Sequence, residues 1–353
     1  MKKRITALLL LLTLSVTSLF ACTSADKSES ASDKTAKTSK STSTKKQELT
    51  PVTLNEVAHS IFYAPMYVAI EKGYFANEGI DLSLVTGFGA DKTMTAVLSG
   101  TADIGFMGSE ASIYTYNEGA NDYVVNFAQL TQRAGNFLVA REDIKDFKWE
   151  DLKGKKVLGG RKGGMPEMVF EYILKKNGID PQKDLTIDQS IDFGSTAAAF
   201  TGDDSAAYTV EFEPSATILE KEGAGYVVAS LGEASGYVPY TSYSAKESYM
   251  KENPEIIQKF TNALQKGMDY VQSHTPEEIA EVIAPQFKET DLDTITTIVK
   301  RYYDQDTWKE NLIFEKDSFE LLQDILEDAG ELNTRAEYEK LVETEYAQKA
   351  CES

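Results

Sequence analysis

The sequence predicts an α/β protein with two lobes and a helical C-terminal extension. Between residues 52 and 231, short apolar or alternating runs typical of strands are followed by stretches with helical spacing. That order implies a mostly parallel sheet, and it runs through two similar rounds. From Asn253 onward only helical patterns remain. The length of 353 residues fits about two domains.

The composition indicates a folded, acidic protein. The chain has 36 basic and 56 acidic residues, and its net charge of −20 would repel phosphate backbones, so we expect no nucleic-acid partner. Hydrophobic residues make up 42% and can build a core. Two cysteines and two histidines are too few for a disulfide framework or a Cys/His zinc site, and we expect no metal or other cofactor.

The first round combines four strands with three helices. Apolar residues that alternate with polar ones, or that form short runs, place the strands at 52–57, 81–86, 102–107 and 123–128. Apolar residues at helical spacing place the helices at 63–75, 91–99 and 110–117. Gly100, directly after the second helix, is a typical helix end.

The second round repeats this order before the helical extension begins. Its strands are placed at 155–158, 186–189, 205–210 and 226–231. Its helices begin near Pro166, Thr196 and Pro214, and proline suits the first helical turn. In the extension, helices are predicted after Asn253 and Thr275 and at 292–303, 317–327 and 334–349.

The first 21 residues have the pattern of a signal peptide. Three basic residues precede an apolar run at 5–20, which is shorter than the roughly 20 residues of a membrane span. The run ends at Cys22, and the segment 19–22 resembles the bacterial lipobox, in which the cysteine is diacylated. The alternative is an ordinary signal peptide with an incidental cysteine. The lipobox predicts a membrane anchor at Cys22.

A tether is predicted at 22–48, between this anchor and the folded body. Of the 24 residues 23–46, 12 are Ser or Thr, and none is aromatic, Leu, Ile or Val. Such a segment cannot bury enough apolar surface to order itself, and its reach is roughly 27 Å. We therefore expect a lipid-anchored protein on the extracytoplasmic face of a cell membrane, with a Gram-positive surface favoured over a periplasm.

Four segments resemble motifs of one bacterial family of solute-binding proteins, and they follow the family's order. In the first, APMYVAIEKGYF at 64–75 is followed by EGIDL at 78–82. The others are LSGTADIG at 98–105, DLKGKKV at 151–157 and EFEP at 211–214. Members of this family serve ABC importers for alkanesulfonates, taurine, nitrate and thiamine pyrimidine precursors.

The resemblance implies a two-lobed fold of the periplasmic-binding-protein type (type II), with a ligand in the cleft. Lobe one would comprise 51–139 and 241–353, and lobe two 140–240, with hinge crossings near 137–141 and 239–243. It also implies a binding protein that hands its ligand to an ABC permease, and we expect a monomer. A small nitrogenous or aromatic molecule, similar to a thiamine pyrimidine precursor, is favoured. An alkanesulfonate, taurine or nitrate is the alternative.

The cleft is expected beyond the carboxyl ends of the strands, where ligands sit in open α/β sheets. Five loops qualify, at 59–63, 87–91, 108–110, 161–167 and 209–213. Three of them place a carboxylate near a helix start: Glu110, Glu167 and Glu211. Each is either a stabilising N-terminal acid or a ligand contact. A contact would disfavour sulfonate or nitrate and favour a neutral or cationic ligand with N–H donors, whereas Arg161 would favour an acidic group.

Further candidate contacts lie in or beside the same loops. Aromatic side chains that would stack on a flat ligand are Tyr63, Phe88 and Tyr240. The remaining candidates are His59, Ser109 and Met165. Ordinary core packing, and for His59 a structural hydrogen bond, are the competing interpretations.

Two other classes of function are less well supported. Fungal relatives with this fold make the thiamine pyrimidine and carry a cysteine-rich motif, but this chain has only Cys22 and Cys351. It also lacks Gly-x-Ser-x-Gly and a phosphate-binding glycine loop, so we expect no enzyme. A structural surface lipoprotein would leave the convergence of five loops unexplained.

Overall fold

The computed structural model describes residues 49–192 and 194–352. The predicted signal peptide, Cys22 and the tether through residue 48 lie outside these residues. The described strands and helices all belong to one compact unit, Gln47–Ser353. None of the described helices is long and apolar enough to cross a membrane.

The described part of the chain contains ten strands and fifteen α-helices. The strands are β1 (Thr50–Glu56), β2 (Ile80–Thr86), β3 (Ile104–Gly108), β4 (Val124–Thr131), β5 (Phe137–Ala140), β6 (Lys156–Leu158), β7 (Thr186–Asp188), β8 (Tyr208–Glu211), β9 (Tyr226–Ser230) and β10 (Thr241–Lys246). The helices are α1 (Ala64–Glu71), α2 (Tyr74–Asn77), α3 (Ala90–Ser99), α4 (Glu110–Asn117), α5 (Met165–Lys176), α6 (Thr196–Gly202), α7 (Ser215–Lys221), α8 (Leu231–Ser235), α9 (Glu247–Glu252), α10 (Pro254–Ser273), α11 (Pro276–Ile283), α12 (Leu292–Asp304), α13 (Lys316–Asp328), α14 (Tyr338–Leu341) and α15 (Glu345–Cys351).

The predicted α/β class is confirmed, and all eight predicted strands are present within three residues of their predicted bounds. Gly100 ends α3 with φ of 75°, in the left-handed conformation that favours glycine. Helix α11 begins with a capping box. The side chain of Thr275 accepts from the backbone N–H of Glu278, and the side chain of Glu278 accepts from the backbone N–H of Thr275. The strands β5 and β10 were not predicted.

The strands form two five-stranded mixed sheets. The first has the order β2-β1-β3-β10-β4, with β1 parallel to β2 and β3, and with β10 antiparallel to both of its neighbours. The second has the order β7-β6-β8-β5-β9, in which β5 is antiparallel to β8 and β9. We call the part built on the first sheet lobe one and the part built on the second sheet lobe two.

The chain passes between the lobes twice. It leaves the first sheet at Thr131 and enters the second at Phe137, so the crossing at 132–136 comes before the predicted one near 137–141. The return falls between α8 and β10, at 236–240, where the predicted crossing near 239–243 begins. The difference arises because Phe137 already pairs with Glu211 of β8 as a strand residue of lobe two.

The helical extension contacts both lobes, although the sequence assigned it to lobe one. Helix α10 packs on α1, α2 and α15 and covers the first sheet. Helix α12 reaches lobe two through Arg301, which pairs with Glu213 and with Glu220 of α7. Helix α13 packs on α5 of lobe two. Lobe two is therefore held by the extension at two different helices.

Candidate functional site

A cavity of about 510 Å³ lies between the two lobes. Each of the five loops expected at the cleft contributes to its walls. Eight of the ten predicted binding residues line it, namely His59, Tyr63, Phe88, Glu110, Arg161, Met165, Glu211 and Tyr240. The volume suits a small organic molecule, at the carboxyl ends of strands from both sheets.

Ser109 and Glu167 are absent from the described lining. The hydroxyl of Ser109 is buried and donates to Ser242 Oγ of β10 at 3.1 Å. Glu167 turns back into lobe two, where it accepts from the backbone N–H of Gly163 at 3.2 Å and from Gln189 Nε2 at 2.6 Å. Burial and the neighbouring Glu171 raise the pKa of Glu167 to about 8. These two residues therefore support the walls from behind.

Glu110 is a buried carboxylate that lobe one contributes to the cavity wall. It is the first residue of α4 and is 3% exposed. Its carboxyl group folds over Gly108, where a Cβ atom would lie only 2.1 Å from Oε2. Among the described residues, no group donates a hydrogen bond to this Oε2 atom. A buried acceptor without a partner is costly, so the site is incomplete without a donor.

The protonation of Glu110 is governed by burial. Burial raises the pKa of its carboxyl to about 7, while the backbone N–H groups of Glu110 and Met165 and the charge of Arg161 oppose the rise. The other titratable groups facing it are the phenols of Tyr63, Tyr114 and Tyr240. Burial raises the pKa values of these phenols as well, so they stay neutral near pH 7.

Glu211, at the end of β8, is a buried carboxylate that lobe two contributes to the cavity wall. Its Oε1 atom accepts from Thr209 Oγ1 at 2.5 Å, and its Oε2 atom accepts from Thr196 Oγ1 at 2.9 Å. Burial raises the pKa of Glu211 to about 7, against the two hydroxyl donors. Both of its oxygens thus have a donor within the protein, in contrast to Glu110.

Aromatic side chains form part of the cavity wall. Tyr63 is buried and its ring lies edge-on to Phe106, with the ring centroids 4.5 Å apart. Tyr240 is also buried and donates its hydroxyl to Asn136 Oδ1 at 2.5 Å. Phe88 differs, because it is 71% exposed at the wall and has a left-handed φ of 57°. Such a backbone costs about 1–3 kcal/mol in a bulky residue and is typical of functional sites.

His59 has structural partners on both sides of its ring. Its Nδ1 atom lies 2.8 Å from Glu56 Oε1, and its Nε2 atom lies 2.9 Å from the carbonyl oxygen of Gln286. The hydrogen bond to Glu56 raises the pKa of His59. Because both ring nitrogens face acceptors, His59 supports the wall rather than offering a free polar atom.

The basic groups at the cavity are exposed. Arg161 Nη1 lies 3.6 Å from Asp91 Oδ1, so this ion pair joins lobe two to lobe one. Lys92 Nζ donates to the carbonyl oxygen of Phe88 at 3.2 Å. An exposed ion pair such as that of Arg161 and Asp91 contributes about 0–1 kcal/mol.

The sequence reasoning missed several lining residues. They are Ser60, Asn136, Asp192, Thr196, Phe212 and Glu213 among others. Ser60, Phe212 and Glu213 lie within predicted loops but were passed over. The polar and glycine residues before α6 are typical of a turn, and this pattern could have indicated that Asp192 and Thr196 lie in a further loop at the cavity.

The described residues offer neither a cysteine at the cavity nor a metal-binding cluster. Cys351 ends α15 and does not line the cavity. Within residues 49–192 and 194–352, no cluster of three or more His, Cys, Asp or Glu side chains could hold a metal ion.

Glu110→Gln is expected to stabilise the unliganded protein above pH 7. The folded-state pKa of about 7 exceeds the ordinary value of 4.5, so the folded state binds more protons between these pH values. Stability from this group is therefore present at low pH and lost as pH rises toward about 7. At pH 8 we expect the variant to gain about 2–3 kcal/mol over the unmodified protein, and at pH 4.5 almost nothing.

Urea unfolding between pH 4.5 and pH 8 measures this difference. Glu118→Gln, an exposed position at the end of the same helix, is the control. It keeps Glu110, so its stability should follow that of the unmodified protein across this pH range. Parallel pH profiles for the unmodified protein and Glu110→Gln would contradict the burial of an ionisable Glu110.

The amino-acid sequence matches a known family model. The model described as "NMT1/THI5 like" matches residues 61–279, which is well over half of the chain and includes residues of both lobes.

Two curated proteins illustrate the range of relatives. "Putative binding protein YtlA" of Bacillus subtilis strain 168 is 49% identical over 306 residues, which are 86% of this chain and 91% of that protein. The 4-amino-5-hydroxymethyl-2-methylpyrimidine phosphate synthase of Aspergillus parasiticus is 26% identical over 225 residues, which are 60% of this chain and 63% of the synthase.

Solved structures share the fold. The alkanesulfonate-binding protein SsuA from Xanthomonas axonopodis pv. citri, bound to MOPS, superposes with a TM-score of 0.67. The match covers 84% of this chain and 99% of SsuA at 14% identity. At that identity the likeness concerns the two-lobed fold alone.

Proposed function

Because the chain belongs to the NMT1/THI5-like family, we propose that it is an extracytoplasmic solute-binding protein that delivers a small organic molecule to an ABC permease. The observation that carries the proposal is the cavity of about 510 Å³ between two sheets, with walls from loops of both lobes. Two chain crossings join the lobes, and this connection permits hinge closure around a ligand. The YtlA relative, 49% identical, is also named a binding protein.

The ligand we propose is a small nitrogenous molecule with a flat or aromatic framework, similar to a thiamine pyrimidine precursor. The rings of Tyr63, Tyr240 and Phe88 at the wall support a flat framework. The distant Aspergillus parasiticus relative is named for an aminopyrimidine product. An alkanesulfonate, taurine or nitrate is the alternative, in the same fold.

Binding, rather than catalysis, is the proposed role, and the chain acts as a monomer in this proposal. The polar groups at the wall are mostly held by partners within the protein, as at Glu211, Tyr240 and His59. This arrangement orients a ligand without positioning a nucleophile beside a base.

Ligand capture is tested on the purified protein. Mass spectrometry of small molecules released from it should identify a bound organic compound. That compound should raise the melting temperature by several degrees and, in small-angle scattering, reduce the radius of gyration. Phe88→Ala should weaken its affinity about three- to tenfold through lost stacking. Leu292→Ala, another exposed apolar position, should leave affinity unchanged. Well-folded protein that binds nothing would contradict the proposal.

A lipid anchor at Cys22 is the proposed attachment to the membrane. The support is the apolar run at 5–20 that ends at this cysteine, followed by the Ser/Thr-rich segment. Cys22→Ala should move the protein from the membrane fraction of the producing cells into the soluble fraction. Cys351→Ala is the control and should leave the protein on the membrane, as measured by fractionation and immunoblotting. Unchanged fractionation of Cys22→Ala would refute the anchor.

A further inference from the structure

We propose that Glu110 acts as a built-in anion of the cavity, which selects neutral or cationic ligands with N–H donors and rejects anionic ones. The inference rests on the proposed function, because it names the class of molecule that the same cavity takes. It concerns charge and hydrogen-bonding chemistry, and it applies to amidines, aminoheterocycles and primary amines alike.

The first support is the position of Glu110 between two helix starts. Helix α4 begins at Glu110 itself, and helix α5 of lobe two begins at Met165. Helix N-termini favour a negative charge, so this position would suit an anion. The backbone N–H groups of both residues lower the pKa of the Glu110 carboxyl, against the effect of burial. The Glu110 carboxylate therefore occupies the position near the two helix N-termini that an anionic ligand would otherwise take.

The second support is the unpartnered Oε2 atom. Glu110 is 97% buried and lines the cavity, yet no described group donates to this oxygen. Gly108 leaves the space that this carboxyl group occupies, because any Cβ there would collide with it. A ligand N–H would give this oxygen the hydrogen-bond donor that it lacks. An anionic ligand oxygen in the same place would instead bring two acceptors together without a hydrogen between them.

The third support is the balance of charge around the interior. Glu211 brings a second buried carboxyl group from the opposite lobe. The basic side chains at the wall offset these two only in part, because Arg161 is half exposed and pairs with Asp91, and Lys92 is exposed. An anionic ligand between two carboxyl groups would be repelled at close range, and a cation would be attracted.

The test uses compounds matched in shape and opposite in charge. Benzamidine and benzoate are such a pair, and 4-amino-2-methylpyrimidine, benzenesulfonate, taurine and nitrate extend the panel. Affinities are measured at pH 8.5, where the Glu110 carboxyl, with a pKa of about 7, is ionised. Calorimetry and thermal shift are applied to the unmodified protein, Glu110→Gln and the control Glu118→Gln. The compound released from the purified protein is measured in the same way.

We expect the tightest ligand to be a neutral or cationic N–H donor. Glu110→Gln should weaken it at least tenfold, and Glu118→Gln should leave it unchanged. Benzoate and benzenesulfonate should not bind the unmodified protein measurably at millimolar concentration, and any residual binding should improve in Glu110→Gln. Folding of the variant is verified by its unfolding curve, since a general loss of structure would weaken every ligand.

Two results would overturn the inference while leaving solute binding intact. One is a tightest ligand that is an anion. The other is a tightest ligand whose affinity is the same in Glu110→Gln and in the unmodified protein. If neither the panel nor any released compound binds, the proposed function fails, and the inference fails with it.

Discussion

Replacing Arg301 by methionine is expected to lower the free energy of unfolding by about 3–5 kcal/mol. Arg301 Nη1 donates to Glu213 Oε1 at 2.7 Å, and Glu213 is only 2% exposed. Methionine keeps much of the side-chain volume but removes the guanidinium group. The carboxylate of Glu213 then stays buried with the donors of Thr217 and without its ion-pair partner. Urea unfolding followed by circular dichroism measures the loss.

Arg335→Met is the matched control for this prediction. Arg335 also pairs with several carboxylates, but its partners Glu320, Asp324 and Glu327 are 44%, 59% and 42% exposed. Water solvates these groups after the substitution, so we expect a loss below about 1 kcal/mol. Equal losses in the two variants would mean that the burial of Glu213 does not make its ion pair important for stability.

Replacing Gly267 by valine is expected to destabilise the protein by about 3 kcal/mol. Gly267 lies in α10 where this helix crosses α1, and a Cβ atom there would lie 2.2 Å from the carbonyl oxygen of Pro65. The second close atom is the Cβ of Ala69, at 3.1 Å. Because the nearest atom belongs to the backbone of a buried helix, the two helices must separate. Thermal and urea unfolding measure the effect.

Gly202→Val provides the comparison at a helical glycine with open surroundings. Gly202 is the last residue of α6, and a Cβ atom there would meet nothing within 4 Å. We expect a change within about 0.5 kcal/mol. If Gly267→Val unfolded at the same urea concentration as Gly202→Val, the inference that α1 and α10 cross too closely for a larger side chain would be wrong.

Strands with a pattern of their own were predictable, and strands defined by their neighbours were not. In β1 and β8, apolar runs or alternation are visible in the sequence itself. Strand β10 reads Thr-Ser-Tyr-Ser-Ala-Lys, which suggests a loop. It is nevertheless buried between β3 and β4, and Ser242 Oγ donates to Asn126 Oδ1 at 2.7 Å. The hydrogen bond that makes burial of this polar strand possible therefore depends on a residue distant in sequence.

The loops around the cavity could be predicted, but the direction of each side chain could not. Glu110 and Glu167 both stand near a helix start, and the sequence treats them alike. Glu110 faces the cavity because Gly108 leaves room for it, whereas Glu167 is held inside lobe two by Gln189. The partner of Glu213 is Arg301, which lies in the helical extension. Such contacts follow from tertiary structure and leave no local pattern.

The strand order β2-β1-β3-β10-β4 also constrains the order in which the chain folds during synthesis. The second sheet is built from one continuous stretch, Phe137 to Ser230, and all of its strands exist once that stretch has been made. The first sheet lacks strand β10, which lies between β3 and β4, until Lys246 has been added. Strands β1, β2 and β3 therefore stay unconnected to β4 while the strands of lobe two pair. Lobe one would be the last to close and the longer exposed to aggregation.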